Sequence, residues 1–288
     1  MYPYDILFEG FDLYILFITI GIISALVVFR VLADKNKFPA GLQNLVLIGA
    51  VFAIVLGYGS AVLFQGIYNA IDTGKFTLGE GTGATFYGGL IGGAVVILLV
   101  YFLGGKFILK NDDNKKHFMM FLQIALCAVA IAHGFGRLGC LMAGCCHGHE
   151  TDSWIGIKQY IELSNGSMGW AKVVPTQLFE ALFLFAIGAI MFYLAWKGKK
   201  VNFAIYTIGY GIWRIIIEEF RADDRGETIV KFLTPSQLIA VLLILLGIAY
   251  IAFLIIYNKK KTAIDNQTKS SNEDKNVKNE KIDDNPQE

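Results

Sequence analysis

Between His133 and His149 the chain reads H-G-F-G-R-L-G-C-L-M-A-G-C-C-H-G-H, and no other stretch carries as many reactive side chains. Arg137 is the first to consider. A guanidinium at the edge of an apolar segment is costly unless it meets an anion, and its planar fork matches a phosphate. The thiols offer other chemistry. Cys145 and Cys146 are adjacent, with Cα atoms about 3.8 Å apart, below the usual disulfide range. A bridge from Cys140 to Cys145 or Cys146 is therefore the feasible one, and it would hold the turn after Arg137. Cys140, Cys145, His147 and His149 have the donor types of a zinc site, but their spacing matches no standard C-x-x-C pattern. The sequence gives no reason to expect a metal or a cofactor. His133 lies one helical turn before Arg137, as a base or relay or as a packed helix-end histidine.

Other polar residues sit in apolar runs. Arg214, Glu218 and Arg221 are spaced i, i+4, i+7, which places them on one helical face. A structural Arg214–Glu218 pair is the alternative to an anion site. Glu180 follows Gln177 by three residues near the start of another apolar run, where it can partner an arginine. Tyr87 opens F-Y-G-G-L-I-G-G, whose Gly88/Gly92 and Gly89/Gly93 pairs suit close helix contact. Packing alone accounts for those glycines. Cys127, among Ala, Leu and Val, reads as a small core residue.

These residues need a membrane to position them. The 288-residue chain is 55% hydrophobic with a mean hydropathy of +0.53, too apolar for a soluble domain. Runs of about 20 residues, the length that spans a bilayer, fall near 13–32, 42–64, 85–103, 118–137, 175–196, 203–220 and 235–257. The expected fold is an all-α polytopic membrane protein with seven transmembrane helices. Successive connections carry 3, 1, 4, 2, 3 and 3 Lys or Arg, and the tail 7. By the positive-inside rule the N-terminus is outside and the C-terminus cytoplasmic. Met1 to Asp12 has no Lys or Arg, unlike the cationic start of a cleaved signal peptide. Residues 1–257 form one membrane domain, and 258–288, with 7 basic and 7 acidic residues, reads as a disordered charged tail. A net charge of +1 gives no reason to expect nucleic acid as a partner. Two spans open alike, Pro175-Thr-Gln-Leu and Pro235-Ser-Gln-Leu, with proline at the first helical position.

The run G-R-L-G-C-L-M-A-G-C-C-H-G resembles the signature of the bacterial prolipoprotein diacylglyceryl transferases, G-R-x-G-N-F-x-N-G-E. F-Y-G-G-L-I-G is similar to the family's F-H-G-G-L-I-G, P-T-Q-L-F-E to P-S-Q-L-Y-E, and Y-G-I-W-R-I-I-I-E-E-F-R to Y-G-x-x-R-F-x-V-E-F-F-R. The blocks follow family order across about Leu42 to Tyr257. The resemblance implies a transferase of the bacterial plasma membrane. It would move the diacylglyceryl group of phosphatidylglycerol to the lipobox cysteine thiol in the signal peptide of a preprolipoprotein, releasing glycerol 1-phosphate. Arg137 and Arg214 would be its essential arginines, Tyr87 and His133 its proton-handling candidates. Glu180, Glu218, Arg221, Gly88 and Gly89 would line the substrate, and Cys140, Cys145 and Cys146 would be structural thiols. The chain departs from the pattern at Tyr87, a family histidine, at Cys140 and Ala143, family asparagines, and at Cys145, a family glutamate. Tyr58 lies near a family arginine. A lipid-modifying transferase with another acceptor, or a non-enzymatic lipid-binding or thiol-redox protein, are the other readings.

Overall fold

A computed structural model describes residues 12–78, 82–110, 113–163, 166–222 and 233–283. Met1 to Phe11, where a cleaved signal is not expected, lie outside them. The described chain is dominated by helices: α1 (Leu13–Lys35), α2 (Ala40–Thr73), α3 (Phe86–Leu99), α4 (Gly105–Phe107), α5 (Asp113–Ala143), α6 (Thr176–Trp196), α7 (Asn202–Glu218) and α8 (Pro235–Asp283). Among the described residues, six helices are long and apolar enough to cross a membrane. Much of their apolar surface is exposed, for instance Val51, Val55, Ile91 and Leu245, as befits helices whose solvent is lipid rather than water. The seventh expected span, 203–220, is α7. At 17 residues it is about 25 Å long, a little short of a hydrocarbon core of about 30 Å, and it carries Arg214 and Glu218.

The all-α expectation needs one correction. The connection after α5 contains an antiparallel hairpin, β1 (Ile157–Glu162) and β2 (Met168–Val173), paired Ile157 to Val173 through Glu162 to Met168. Tyr160 packs edge-on to Trp170 across it, and Gly166 takes the positive φ of 76° that its turn requires. No run there is long enough to span, so the segment reads as a plain loop until its two halves are paired. A second difference lies at the C-terminus. α8 continues through the charged residues to Asp283, where the composition predicts a tail without ordered structure from Asn258. Few residues there break helices: after Pro235 the next proline is Pro286, and Lys, Glu and Ala extend a helix already nucleated upstream.

The chain divides into two compact units, residues 1–202 with 220–223, and residues 203–219 with 224–288. In the first, α5 packs between α1 and α6, and α2 packs on α3. Asp12 caps α1, its Oδ1 accepting from the Tyr14 amide at 2.7 Å. α3 passes through a π-helical turn, Val100–Gly104, before α4. That turn buries Tyr101, whose ring stacks on Phe121 at 4.5 Å while its hydroxyl donates to the Asn114 carbonyl at 2.6 Å. Asn202 ties the end of the unit to α5 and α6, its Nδ2 donating to the carbonyls of Gln123 and Met191 at 3.0 Å each. In the second unit α7 lies against α8, with Gly211 over the Ala240 carbonyl and Phe203 on Tyr250.

Candidate active site

α5 delivers the reactive stretch. It runs uninterrupted through His133, Arg137 and Cys140 and ends at Ala143, where Gly144 turns left-handed at a φ of 69°. The Cys145 amide then donates back to the Cys140 carbonyl at 3.2 Å. Arg137 and His133 are half-buried on this last stretch of helix. Glu180, wholly buried on α6, meets Arg137 with an Nε to Oε2 distance of 3.1 Å. A carboxylate removed from water requires such a partner, because an isolated buried charge costs several kcal/mol (on the order of 3–5 when one partner is deleted).

Beyond Gly144 the chain runs extended between two neighbours. On one side the Gly148 amide donates to the Val174 carbonyl at 2.8 Å, and the Val174 amide donates to the His149 carbonyl at 3.1 Å. On the other, the His149 amide donates to the Phe220 carbonyl at 3.1 Å, and Gly148 bridges Arg221. Gly148 is pinched between these neighbours, and a Cβ there would strike the Phe220 carbonyl and Val174. The start of α6 holds the preceding turn by its carbonyls. Thr176 Oγ1 donates to Cys146 O at 2.7 Å, and Gln177 Nε2 to Cys145 O at 2.6 Å.

This ladder corrects the expected helical row. α7 ends at Glu218, so Arg221 lies past the helix in an extended bridge, where its positive charge favours the Cys146 thiolate. Cys140, Cys145 and Cys146 are free thiols whose sulfurs all lie within 4.8 Å of one another. The bridge expected from Cys140 is not formed in this structure. Cys146 adopts a φ of 62°, a left-handed conformation that non-glycine residues rarely take. Its thiol is held far below the ordinary range, by hydrogen bonds from Cys140 and Cys145 and then by Arg221. The Cys145 thiol is raised: its hydrogen bond with Cys140 acts to lower it, but the bond with Cys146 and burial outweigh that.

The second unit contains its own pair. Arg214 Nη2 lies 2.8 Å from Glu218 Oε2 and donates to Ser236 Oγ at 3.0 Å, while Thr234 Oγ1 donates to Glu218 Oε1 at 2.9 Å. Gln237 Nε2 donates to Glu219 at 2.7 Å. Tyr87, Gly88 and Gly89 begin α3. Gly88 and Gly89 face α2 there, against Phe64 and Ala61, and Tyr87 is half-buried. Cys127 is buried, its thiol 3.7 Å from the Gly188 carbonyl.

Residues 6–253 match the family model described as prolipoprotein diacylglyceryl transferase. The chain belongs to the prolipoprotein diacylglyceryl transferase family. Among the family's curated members, a phosphatidylglycerol–prolipoprotein diacylglyceryl transferase of Clostridium tetani is 32% identical over 259 residues, covering 84% of this chain and 94% of the relative. One of Finegoldia magna is 28% identical over 248 residues (83% and 90%), and one of Dehalococcoides mccartyi 27% over 219 (73% and 76%). The sequence pointed to the arginines, Glu180 and Gln177 as candidates, and the structure pairs Arg137 with Glu180 and Arg214 with Glu218. Sequence reasoning missed Thr176, Ser236 and Thr234, whose hydroxyls complete the two networks. The repeated P-[ST]-Q-L was the signal that pointed to two of them.

Proposed function

We propose that this membrane transferase moves the diacylglyceryl group of phosphatidylglycerol to the lipobox cysteine thiol of a preprolipoprotein signal peptide. The observation that carries the reading is the buried Arg137–Glu180 pair at the end of α5, inside the stretch with the family's Gly-Arg-x-Gly pattern, in a chain matched by the family model over nearly its whole length. Arg137 receives the lipid phosphate, with Glu180 fixing the direction of its guanidinium, so that charge developing on the departing phosphate ester is met by a donor already in place. Arg214 is the second essential arginine, held by Glu218, and Arg221 keeps the cysteine turn in place. Gly88 and Gly89 let α3 approach α2 closely beside Tyr87, and Tyr87 and His133 are the candidates for proton transfer. The thiols of Cys140, Cys145 and Cys146 hold the turn that aims Arg137.

In this reading α7 is a seventh span, the N-terminus lies outside, and the charged C-terminal end is cytoplasmic in a bacterial plasma membrane. Purified protein is mixed with phosphatidylglycerol and a lipobox peptide, and the peptide's mass is followed. A gain of one diacylglyceryl group on the cysteine, absent with serine in its place, is the expected result. A failure of the wild-type protein to modify the peptide, while a curated relative does so in parallel, would sink the proposal.

A further inference from the structure

Resting on that transferase reading, we infer that Cys140, Cys145 and Cys146 form a zinc site with one position left open for the acceptor thiol. Three sulfurs on one turn lie within 4.8 Å of one another. Tetrahedral Zn–S bonds of about 2.3 Å put ligand sulfurs about 3.8 Å apart, a separation that small rotations about the Cα–Cβ bonds supply. The backbone is already set. The Cys145 amide is bonded to Cys140, and the carbonyls of Cys145 and Cys146 are held by Gln177 and Thr176. Three thiolates around Zn2+ leave a net negative charge. Arg221, bridged to Gly148 two residues after Cys146, and Arg137, one turn before Cys140, supply positive charge to balance it.

The ligand count distinguishes this site from a structural staple. Structural zinc sites use four protein ligands, and catalytic ones keep a position open. His147, the nearest candidate for a fourth, has its Nδ1 2.9 Å from the Gly148 carbonyl. His149 is exposed, and among the described residues neither histidine belongs to the cluster. Cys145 is the exposed member, so the open side faces outward, where an incoming thiol can reach it.

The chemistry fits an S-alkylation. A free thiol with a pKa of about 8.5 is a poor nucleophile at neutral pH, whereas a thiol bound to zinc is deprotonated outright. The acceptor cysteine gives its proton to solvent as it takes the fourth position. Its sulfur then attacks the glyceryl carbon that bears the phosphate ester. The S–C bond forms, the C–O bond breaks, and the electron pair leaves on glycerol 1-phosphate beside Arg137. The thioether product is neutral, a weaker ligand, and departs.

The test uses full-length protein purified in detergent, with metal measured as isolated and after exchange with Co2+. One equivalent of zinc, and a sulfur-to-cobalt charge-transfer band, are expected. A lipobox peptide with its cysteine should increase that band, and the same peptide with serine should not. Cys140→Ser, Cys145→Ser and Cys146→Ser should each weaken cobalt binding about tenfold or more, and Arg221→Gln by roughly tenfold, while His147→Ala and His149→Ala leave it unchanged. Wild-type protein without stoichiometric metal, with copper in its place, or with Cys140 bridged to Cys145 or Cys146 when thiols are trapped at lysis, overturns the inference. So does full transfer to the peptide by protein shown to be metal-free, a result that leaves the transferase reading intact. A thiol-dependent cobalt spectrum without any transfer would instead uphold the site and count against the proposed reaction.

Discussion

The two buried arginine–glutamate pairs are built differently. Arg214 and Glu218 are four residues apart on one helix, 2.8 Å from each other, and both are nearly buried, with side chains 6% and 4% exposed. Arg137 and Glu180 come from two helices, and Glu180 is fully enclosed. The first pair forms as soon as α7 does. The second exists only once α5 and α6 have packed, so its charge compensation is a property of the assembled unit. Each has a P-[ST]-Q-L helix start nearby, Pro175-Thr-Gln-Leu at the α5 end and Pro235-Ser-Gln-Leu beside α7. The two starts use their hydroxyl and amide differently. Thr176 and Gln177 hold backbone carbonyls of the cysteine turn. Ser236 bonds the arginine directly and Gln237 a neighbouring glutamate.

The sharpest way to break the comparison is to neutralise each carboxylate. Glu180→Gln leaves Arg137 without its buried counter-charge and should cost about 3–5 kcal/mol of unfolding free energy. Glu218→Gln also removes a counter-charge, but Arg214 keeps Ser236 as an acceptor and Thr234 keeps an amide oxygen, so it should cost less, about 1–3 kcal/mol. Thermal or denaturant unfolding in detergent measures both, and equal losses would show that the inter-helix pair is no more dependent on packing than the local one. The paired change of Arg137 and Glu180 to apolar residues of similar volume should recover much of the loss.

A smaller effect is expected when charge is retained and the fork removed. Arg137→Lys and Arg214→Lys should each lower transfer to the lipobox peptide roughly tenfold, the equivalent of one lost charge-assisted hydrogen bond. Normal unfolding midpoints beside that loss would place the effect in the chemistry. Near-full activity in both lysine variants would mean that neither guanidinium depends on its planar geometry.

The smallest changes fall on the helix starts. Thr176→Val and Ser236→Ala each remove one hydroxyl hydrogen bond, at about 0.5–1.5 kcal/mol. Thr176→Val should expose the cysteine turn to alkylation, read as faster labelling of Cys145, whereas Ser236→Ala should leave that rate unchanged. Identical labelling in the two would show that Thr176 does not hold the turn.

How much of this was legible beforehand depends on the range of each interaction. Membrane class and six of the apolar spans follow from runs of side chains that water rejects, which is a local property of composition. The Arg214–Glu218 pair follows from helical periodicity for the same reason. The hairpin does not, because its alternation is short and its pairing needs a turn whose partners are chosen by contact. Nor does the position of Arg221, since i+7 on a helix predicts a face only while the helix lasts, and α7 ends at Glu218. The cysteine cluster shows the limit most plainly. C-x4-C-C has the donor types of a metal site but matches no standard ligand spacing. Only the tertiary turn at Gly144 and the left-handed Cys146, held by Thr176, Gln177 and Arg221, bring three sulfurs to one point. Residue types determined by themselves that the chain is apolar and carries charges needing partners. Which charge meets which, and that three thiols converge, was decided by helix packing and a backbone turn that acts over distances no sequence spacing records.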